Sequence, residues 1–145
     1  MFQHILLPTE GSALATSAVA RGIELAAKFG AKITVLTIIE RFHVMTLDAT
    51  ELANSLTDYN RHAAEHAARV LGEVEAKAKA AGVEIASVVR TGESPWEEID
   101  KVAVEVGADL IVMAPHGRRG PAGLMLGSQT AQVVARSKVS VLVLR

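Results

Sequence analysis

The stretch ILLPTEGSALATSAVARGIELAAKFGAKITVLTII, residues 5–39, decides the fold class. Ile5-Leu6-Leu7-Pro8 is a short apolar run ending at proline, the mark of a buried strand. Ser12 stands where a helix N-cap belongs, and Leu14, Ala18, Val19, Ile23, Ala26 and Ala27 recur at helical spacing until Gly30 stops them. Ile33 to Ile39 follows, β-branched and without clean alternation, as in a strand covered on both faces. Two such strands joined by a helix form a βαβ unit, and parallel strands need a crossover of this kind.

The same alternation continues to the end of the chain. Residues 40 to about 55 keep no single period and read as a loop running into a helix. From about Leu56 to Ala81 the chain is Ala-, Glu- and Lys-rich and helical, closed by Gly82. Val83 to Arg90 is the third strand. Ser94-Pro95-Trp96-Glu97 predicts a helix start with serine as cap, proline in the first turn and glutamate at its third position. Ile99, Val102, Ala103 and Val106 make its apolar face, and Gly107 ends it. Asp109 to Ala114 is the fourth strand, Pro115 to Gly127 a Gly-rich loop, Ser128 to Ser137 a short helix, and Val139 to Leu144 the fifth strand. This βαβαβαβαβ pattern predicts one α/β domain over residues 1–145, a parallel sheet with helices on both faces. The pattern leaves two strand orders open, the common 2-1-3-4-5 and the alternative 3-2-1-4-5.

Composition narrows the function. Half of the 145 residues are apolar but only 3% are aromatic, so the core is built from Val, Ile, Leu and Ala. The formal net charge is −1, without a basic stripe interleaved with aromatics, which argues against a nucleic-acid partner. The chain has no cysteine, which excludes disulfides, thiolate zinc sites and thiol nucleophiles, and fits a cytoplasmic location. No run reaches the ~18 apolar residues of a membrane span, and Met1-Phe2-Gln3-His4 lacks the positive start of a signal peptide.

Ligands of open parallel sheets sit at the carboxyl ends of the strands. In the 3-2-1-4-5 order, two loops face each other there: Pro8-Thr9-Glu10-Gly11-Ser12, and Ala114 to Ser128. The second carries Gly117, Gly120, Gly123 and Gly127, the basic pair Arg118-Arg119, and Ser128 at the opening of a helix. Close backbone approach, arginine donors and helix N–H groups together describe a phosphate cradle. It is neither a Walker loop, which needs Gly-Lys-Ser/Thr, nor the dinucleotide fingerprint, since its glycines run G-x-x-G-x-x-G after the fourth strand. The plainer alternative is a surface loop whose Ser128 only caps a helix.

At these residues the chain resembles the universal stress protein family along its whole length. Ile5-Leu6-Leu7-Pro8-Thr9-Glu10-Gly11-Ser12 is similar to the family's first strand and its Pro-x-Asp-Gly-Ser turn. Nucleotide-binding members carry G-x2-G-x9-G-(S/T); here Gly117, Gly127 and Ser128 match it. Ala114 replaces the first glycine and Glu10 the usual aspartate. The resemblance implies the 3-2-1-4-5 order of an adenine nucleotide alpha hydrolase-like fold, and an adenine nucleotide (ATP, ADP or AMP, with Mg²⁺ as an optional companion) as ligand. It places Ile38 as the backbone contact to adenine, and Pro8, Thr9 and Glu10 along the ribose. By the same resemblance Gly117, Gly127, Ser128, Gln129 and Thr130 would lie along the phosphates, and Ala114, His116 and Arg118 of the same loop are further candidate contacts. It also implies a homodimer, which the apolar last strand Val139 to Leu144 favours independently, because an uncovered apolar edge invites aggregation.

Other features compete with this reading. His62-Ala63-Ala64-Glu65-His66 spells the inverted zinc-protease motif H-x-x-E-H, but no third ligand is indicated, and a solvated helix face bearing His62, Glu65, His66 and Arg69 explains it equally. His116 is a loop hydrogen-bonder or an acid for hydrolysis. Trp96 reads as a packing residue, and Leu124, Met125 and Leu126 as an apolar lid on the sheet or a partner. No nucleophile–base–orienter set is visible, which points away from an efficient enzyme. The alternatives to a nucleotide-binding regulator are an interaction protein of the same fold and a slow ATPase.

Overall fold

The structure is a computed structural model that describes residues 1–41, 46–117 and 125–145. Among the described residues nine elements alternate: β1 (His4–Pro8), α1 (Ala13–Phe29), β2 (Lys32–Glu40), α2 (Ala49–Ala80), β3 (Ile85–Gly92), α3 (Pro95–Val106), β4 (Leu110–Met113), α4 (Ser128–Arg136) and β5 (Ser140–Val143). All neighbouring strands pair in parallel, in the order β3-β2-β1-β4-β5. Of the two orders left open by the pattern, the sheet therefore takes the one with β1 at its centre, where the winding direction reverses.

The two faces of the sheet sort the side chains by strict alternation. Ile5, Leu7, Ile33, Val35 and Val112 point to one side and pack with Val19 and Ile23 of α1 and Leu71 and Val74 of α2. Leu6, Leu36, Ile111 and Met113 point to the other and pack with Ile99, Val102 and Ala103 of α3 and Val133 of α4. Ile5, Leu6, Leu7, Ile33, Leu36 and Ile111 are fully buried, and each such side chain contributes about 1.5–3 kcal/mol relative to exposure. Val, Ile, Leu and Ala do build this core, as the shortage of aromatics requires.

Three expectations from the sequence need correction. Helix α2 starts at Ala49, not near Leu56, and runs for 32 residues, about 48 Å. Its cap is Asp48, whose Oδ1 accepts from the Glu51 N–H at 2.8 Å, while the Thr46 hydroxyl donates to the Glu51 carboxylate at 3.1 Å. The Asp48-x-x-Glu51 box was readable; sparse apolar residues on that first stretch obscured it, since nothing before Ala67 on α2 is buried. Strand β3 begins two residues later than Val83. The Val83 N–H still closes the end of α2 by donating to the Ala78 carbonyl at 2.9 Å, so the ladder starts after it. Ser94 precedes α3 but makes no side-chain cap bond; Pro95 alone sets the first turn, and Ser94 serves through its carbonyl, which accepts from the Glu97 N–H at 3.1 Å.

Candidate functional site

A cleft of about 850 Å³ opens at the carboxyl ends of β1, β2 and β4. That volume lies in the upper part of the range typical of small-molecule sites. Its floor is the central sheet; one wall is the start of α4 with the end of β4, and the other is α2.

The first loop is built by its own polar groups. The Thr9 N–H donates to the Leu36 carbonyl at 2.9 Å, and the Thr37 hydroxyl to the Thr9 carbonyl at 3.1 Å. Thr9 Oγ1 accepts from the Gly11 N–H at 3.2 Å, and a Glu10 carboxylate oxygen from the Ser12 N–H at 3.3 Å. Ser12 caps α1 by accepting from the Ala15 N–H at 3.2 Å, as its sequence context predicts. Gly11 has φ +83°, and a Cβ there would stand 2.6 Å from Val70 Cγ2. Glycine is thus required twice over, for the left-handed turn and for the close passage of α2.

The second loop closes on itself at Gly127. Its N–H donates to the Pro115 carbonyl at 2.8 Å, and a Cβ would meet His116 Cβ at 2.8 Å and His116 Cα at 3.1 Å. Gly127 is glycine for lack of space, since its φ of −64° suits any residue. Among the described residues no side chain caps α4, whose first residues, Ser128 to Thr130, line the cleft; a helix N-terminus so placed favours an anion. Gly117 sits opposite the first loop, where a Cβ would lie 3.5 Å from Glu10 Oε2. The Glu10 carboxylate therefore reaches across the cleft to the glycine loop.

Beyond the end of β1, among the described residues, the sheet leaves a pair of backbone groups that no strand meets. Along β2 the residues alternate in the strand they address: the Lys32 N–H bonds Gln3 and the Leu36 carbonyl bonds Thr9 on the β1 side, whereas the Ile33 N–H bonds Glu84 on the β3 side. Ile38 is the next residue of the β1 set. β1 pairs only to Pro8, opposite Leu36, so the Ile38 N–H and C=O face the cleft with no β1 residue to meet them.

Pro8, Thr9, Glu10, Ile38, Ala114, His116, Gly117, Gly127, Ser128, Gln129 and Thr130 all line this one cleft. Arg118 lies outside the described residues, as do Arg119, Gly120, Gly123, Leu124 and His43. Two of the lining residues hold the protein together with the groups assigned to phosphate. The Thr130 hydroxyl is buried and donates to the Ala114 carbonyl at 3.1 Å. The Gln129 side-chain oxygen accepts from the Trp96 N–H at 3.0 Å and so ties α4 to α3. Trp96 is a packing residue, with the Arg136 guanidinium 5.2 Å from its ring centre. Among the described residues no non-glycine has positive φ, so Ala114 takes the place of a glycine without backbone strain. Met125 is 70% exposed and does not lie down on the sheet as a lid. His116 is half-buried, with Nδ1 3.4 Å from the Gly117 carbonyl.

The sequence did not show the α2 wall. Tyr59, His62, Ala63 and His66 line the cleft, which makes this part of the H-x-x-E-H helix more than a solvated face. Both ring nitrogens of His66 are engaged there, by Glu10 and Arg69, and the described residues bring no group of three metal ligands together. The available signal was the spacing 59, 62, 63, 66, one stripe along a helix.

Comparison with known proteins agrees with this architecture. The model of the Universal stress protein family matches residues 1–145. Universal stress protein MJ0577 of Methanocaldococcus jannaschii is 33% identical over 95 residues, 66% of this chain and 54% of that protein's length. The solved structure described as hypothetical protein MJ0577 superposes with a TM-score of 0.83 at 24% identity, covering 99% of this chain and 96% of that one. A universal stress protein crystallised in complex with cAMP superposes at 0.74 with 31% identity, covering 99% of this chain and 97% of that one. Among the described residues no helix is long and apolar enough to cross a membrane.

Proposed function

This chain belongs to the universal stress protein family, and on that premise we propose that it binds an adenine nucleotide in the cleft above β1 and acts as a cytoplasmic, nucleotide-responsive regulator in stress responses. The observation that carries the reading is the Ile38 pair. A donor N–H and an acceptor C=O side by side complement the edge of adenine, which offers a ring-nitrogen acceptor beside an amine donor. Guanine offers the reverse polarity, an acceptor oxygen beside an N–H, and leaves both backbone groups unpaired. The open N-terminus of α4 at the other end of the cleft suits the phosphates. Glu10 lies between these two ends, where the ribose would run, and its carboxylate is the group that would face Mg²⁺ on a polyphosphate. The relative crystallised with cAMP supports the ligand class.

We further propose a homodimer through β5. This strand is an edge of the sheet, and Leu142 on it and Val134 on α4 are 36% and 47% exposed. Pairing with a second copy removes the unpaired edge.

Titration calorimetry of the nucleotide-stripped protein with AMP, Mg·ATP and GMP tests the assignment. The expected result is micromolar binding of the adenine nucleotides near one site per chain, with GMP at least about tenfold weaker. No heat and no shift in melting temperature with any of them would overturn it and leave the interaction-protein reading in its place.

A further inference from the structure

Helix α2 reaches the cleft from the side and touches backbone rather than filling space. Tyr59 and His66 are seven residues apart, two turns, so they lie on one face. The Tyr59 hydroxyl donates to the Glu40 carbonyl at the end of β2. His66 Nε2 is 3.0 Å from the Glu10 carbonyl, just past the end of β1. Arg69 Nη2 is 2.9 Å from His66 Nδ1. The polarity of this chain is unambiguous. A guanidinium only donates, so Nδ1 accepts; the ring proton then sits on Nε2, which donates to the Glu10 carbonyl. Val70, one turn beyond His66, presses on Gly11 so closely that any side chain there would collide with it.

We propose that α2 is a brace for the ligand site, in which His66, oriented by Arg69, and Tyr59 hold the carboxyl ends of β1 and β2 in the shape that receives the nucleotide. His66 is a positioning residue: it acts through the Glu10 backbone, and so sets where the Glu10 carboxylate stands across from Gly117. Tyr59 acts two residues beyond Ile38, at the base end of the cleft. The gain is preorganisation, since a loop already ordered loses less freedom when the ligand arrives. The effect on affinity rests on the nucleotide reading above; the ordering of the loops does not.

The test uses the full chain without and with AMP. In the free protein, long-range ¹⁵N spectra should show the His66 proton on Nε2; a proton on Nδ1 overturns the brace without any variant. His66→Leu keeps the volume and removes the donor. It should raise amide exchange at Thr9 to Ser12 in the free protein and weaken AMP binding about fivefold. His66→Gln restores a side-chain N–H donor and should recover most of both, a rescue that a packing role would not produce. Tyr59→Phe should raise exchange at the end of β2. A folded His66→Leu with unchanged loop exchange sinks the proposal, as does failure of His66→Gln to rescue. If the wild type binds no AMP while the loop amides respond as described, the nucleotide reading falls and the brace stands.

Discussion

The two ends of strand β1 solve opposite problems. At its amino end Asp109 and His4 both meet other protein groups. The Asp109 carboxylate accepts from the Gln3 N–H at 2.9 Å and the His4 N–H at 3.1 Å, and the Asp109 N–H donates back to the His4 carbonyl at 3.0 Å. The buried His4 ring bonds the Thr34 hydroxyl at 2.8 Å. At the carboxyl end the strand stops short of its neighbour. Ile38 faces a cleft, α4 begins without a side-chain cap, and glycine takes the place of a side chain at 117 and 127. One end uses its polar groups on the fold, while the other presents the Ile38 backbone and the first turn of α4, the groups that the proposed function assigns to a ligand. Stability and binding should therefore respond to different mutations.

The largest separation is expected at Gly127. A leucine there must displace His116 and the Pro115 carbonyl, so Gly127→Leu should lower AMP affinity by about a hundredfold or more, from steric loss of the cradle. The core lies elsewhere, and circular dichroism should show an intact fold. A parallel collapse of stability would mean that the cleft is also a structural element.

Asp109→Ala inverts the pattern. Two backbone N–H groups lose their acceptor, much as at a lost helix cap, and the expected destabilisation is about 1 kcal/mol in urea unfolding. Calorimetry should find AMP binding unchanged. Weakened binding would show that the two ends of β1 are coupled through the strand.

The smallest effect is a pH dependence. Burial, with the Lys32 ammonium nearby, pushes the His4 imidazole below its ordinary value, against the opposing pull of the Val106 backbone and of Asp109 and Glu84. The unfolded chain then binds the proton more readily than the folded one. The contribution of His4 is complete above its unfolded value of about 6.5 and declines as pH falls below it. At Asp109 desolvation works against the charge, but the N–H donors of Gln3, His4 and Asp109 itself outweigh it and hold the carboxyl below its usual range. Its contribution is present above the unfolded value and is lost only in stronger acid. Melting curves of wild type and His4→Gln between pH 7 and 5, the range of the first step, should diverge, with the steeper decline in wild type. Equal slopes would remove His4 from the account.

Much of this was legible in order of increasing range. The apolar runs at Ile5–Pro8 and Ile33–Ile39, the cap at Ser12 and the stop at Gly30 are local signals, and each sits where the sequence places it. Gly117, Gly127 and Ser128 of the second loop fall on one cleft with Pro8, Thr9 and Glu10 because a parallel sheet gathers the carboxyl ends of its strands. The start of α2 was harder, because its first turns bury nothing and leave no apolar stripe. Its Asp48 cap depends on two polar residues that also occur in loops.

The sequence by itself determined the alternation of elements, the apolar core and the residue types at the cleft, since periodicity, capping and backbone freedom act within a few residues. Periodicity left the order of the strands open, and the family resemblance implied the one observed; only the tertiary structure decided the release of the Ile38 backbone beyond β1 and the approach of α2 to Glu10. Each of these depends on which segments become neighbours. That choice follows from how two helical layers cover one twisted sheet, so no single stretch of the chain carries it.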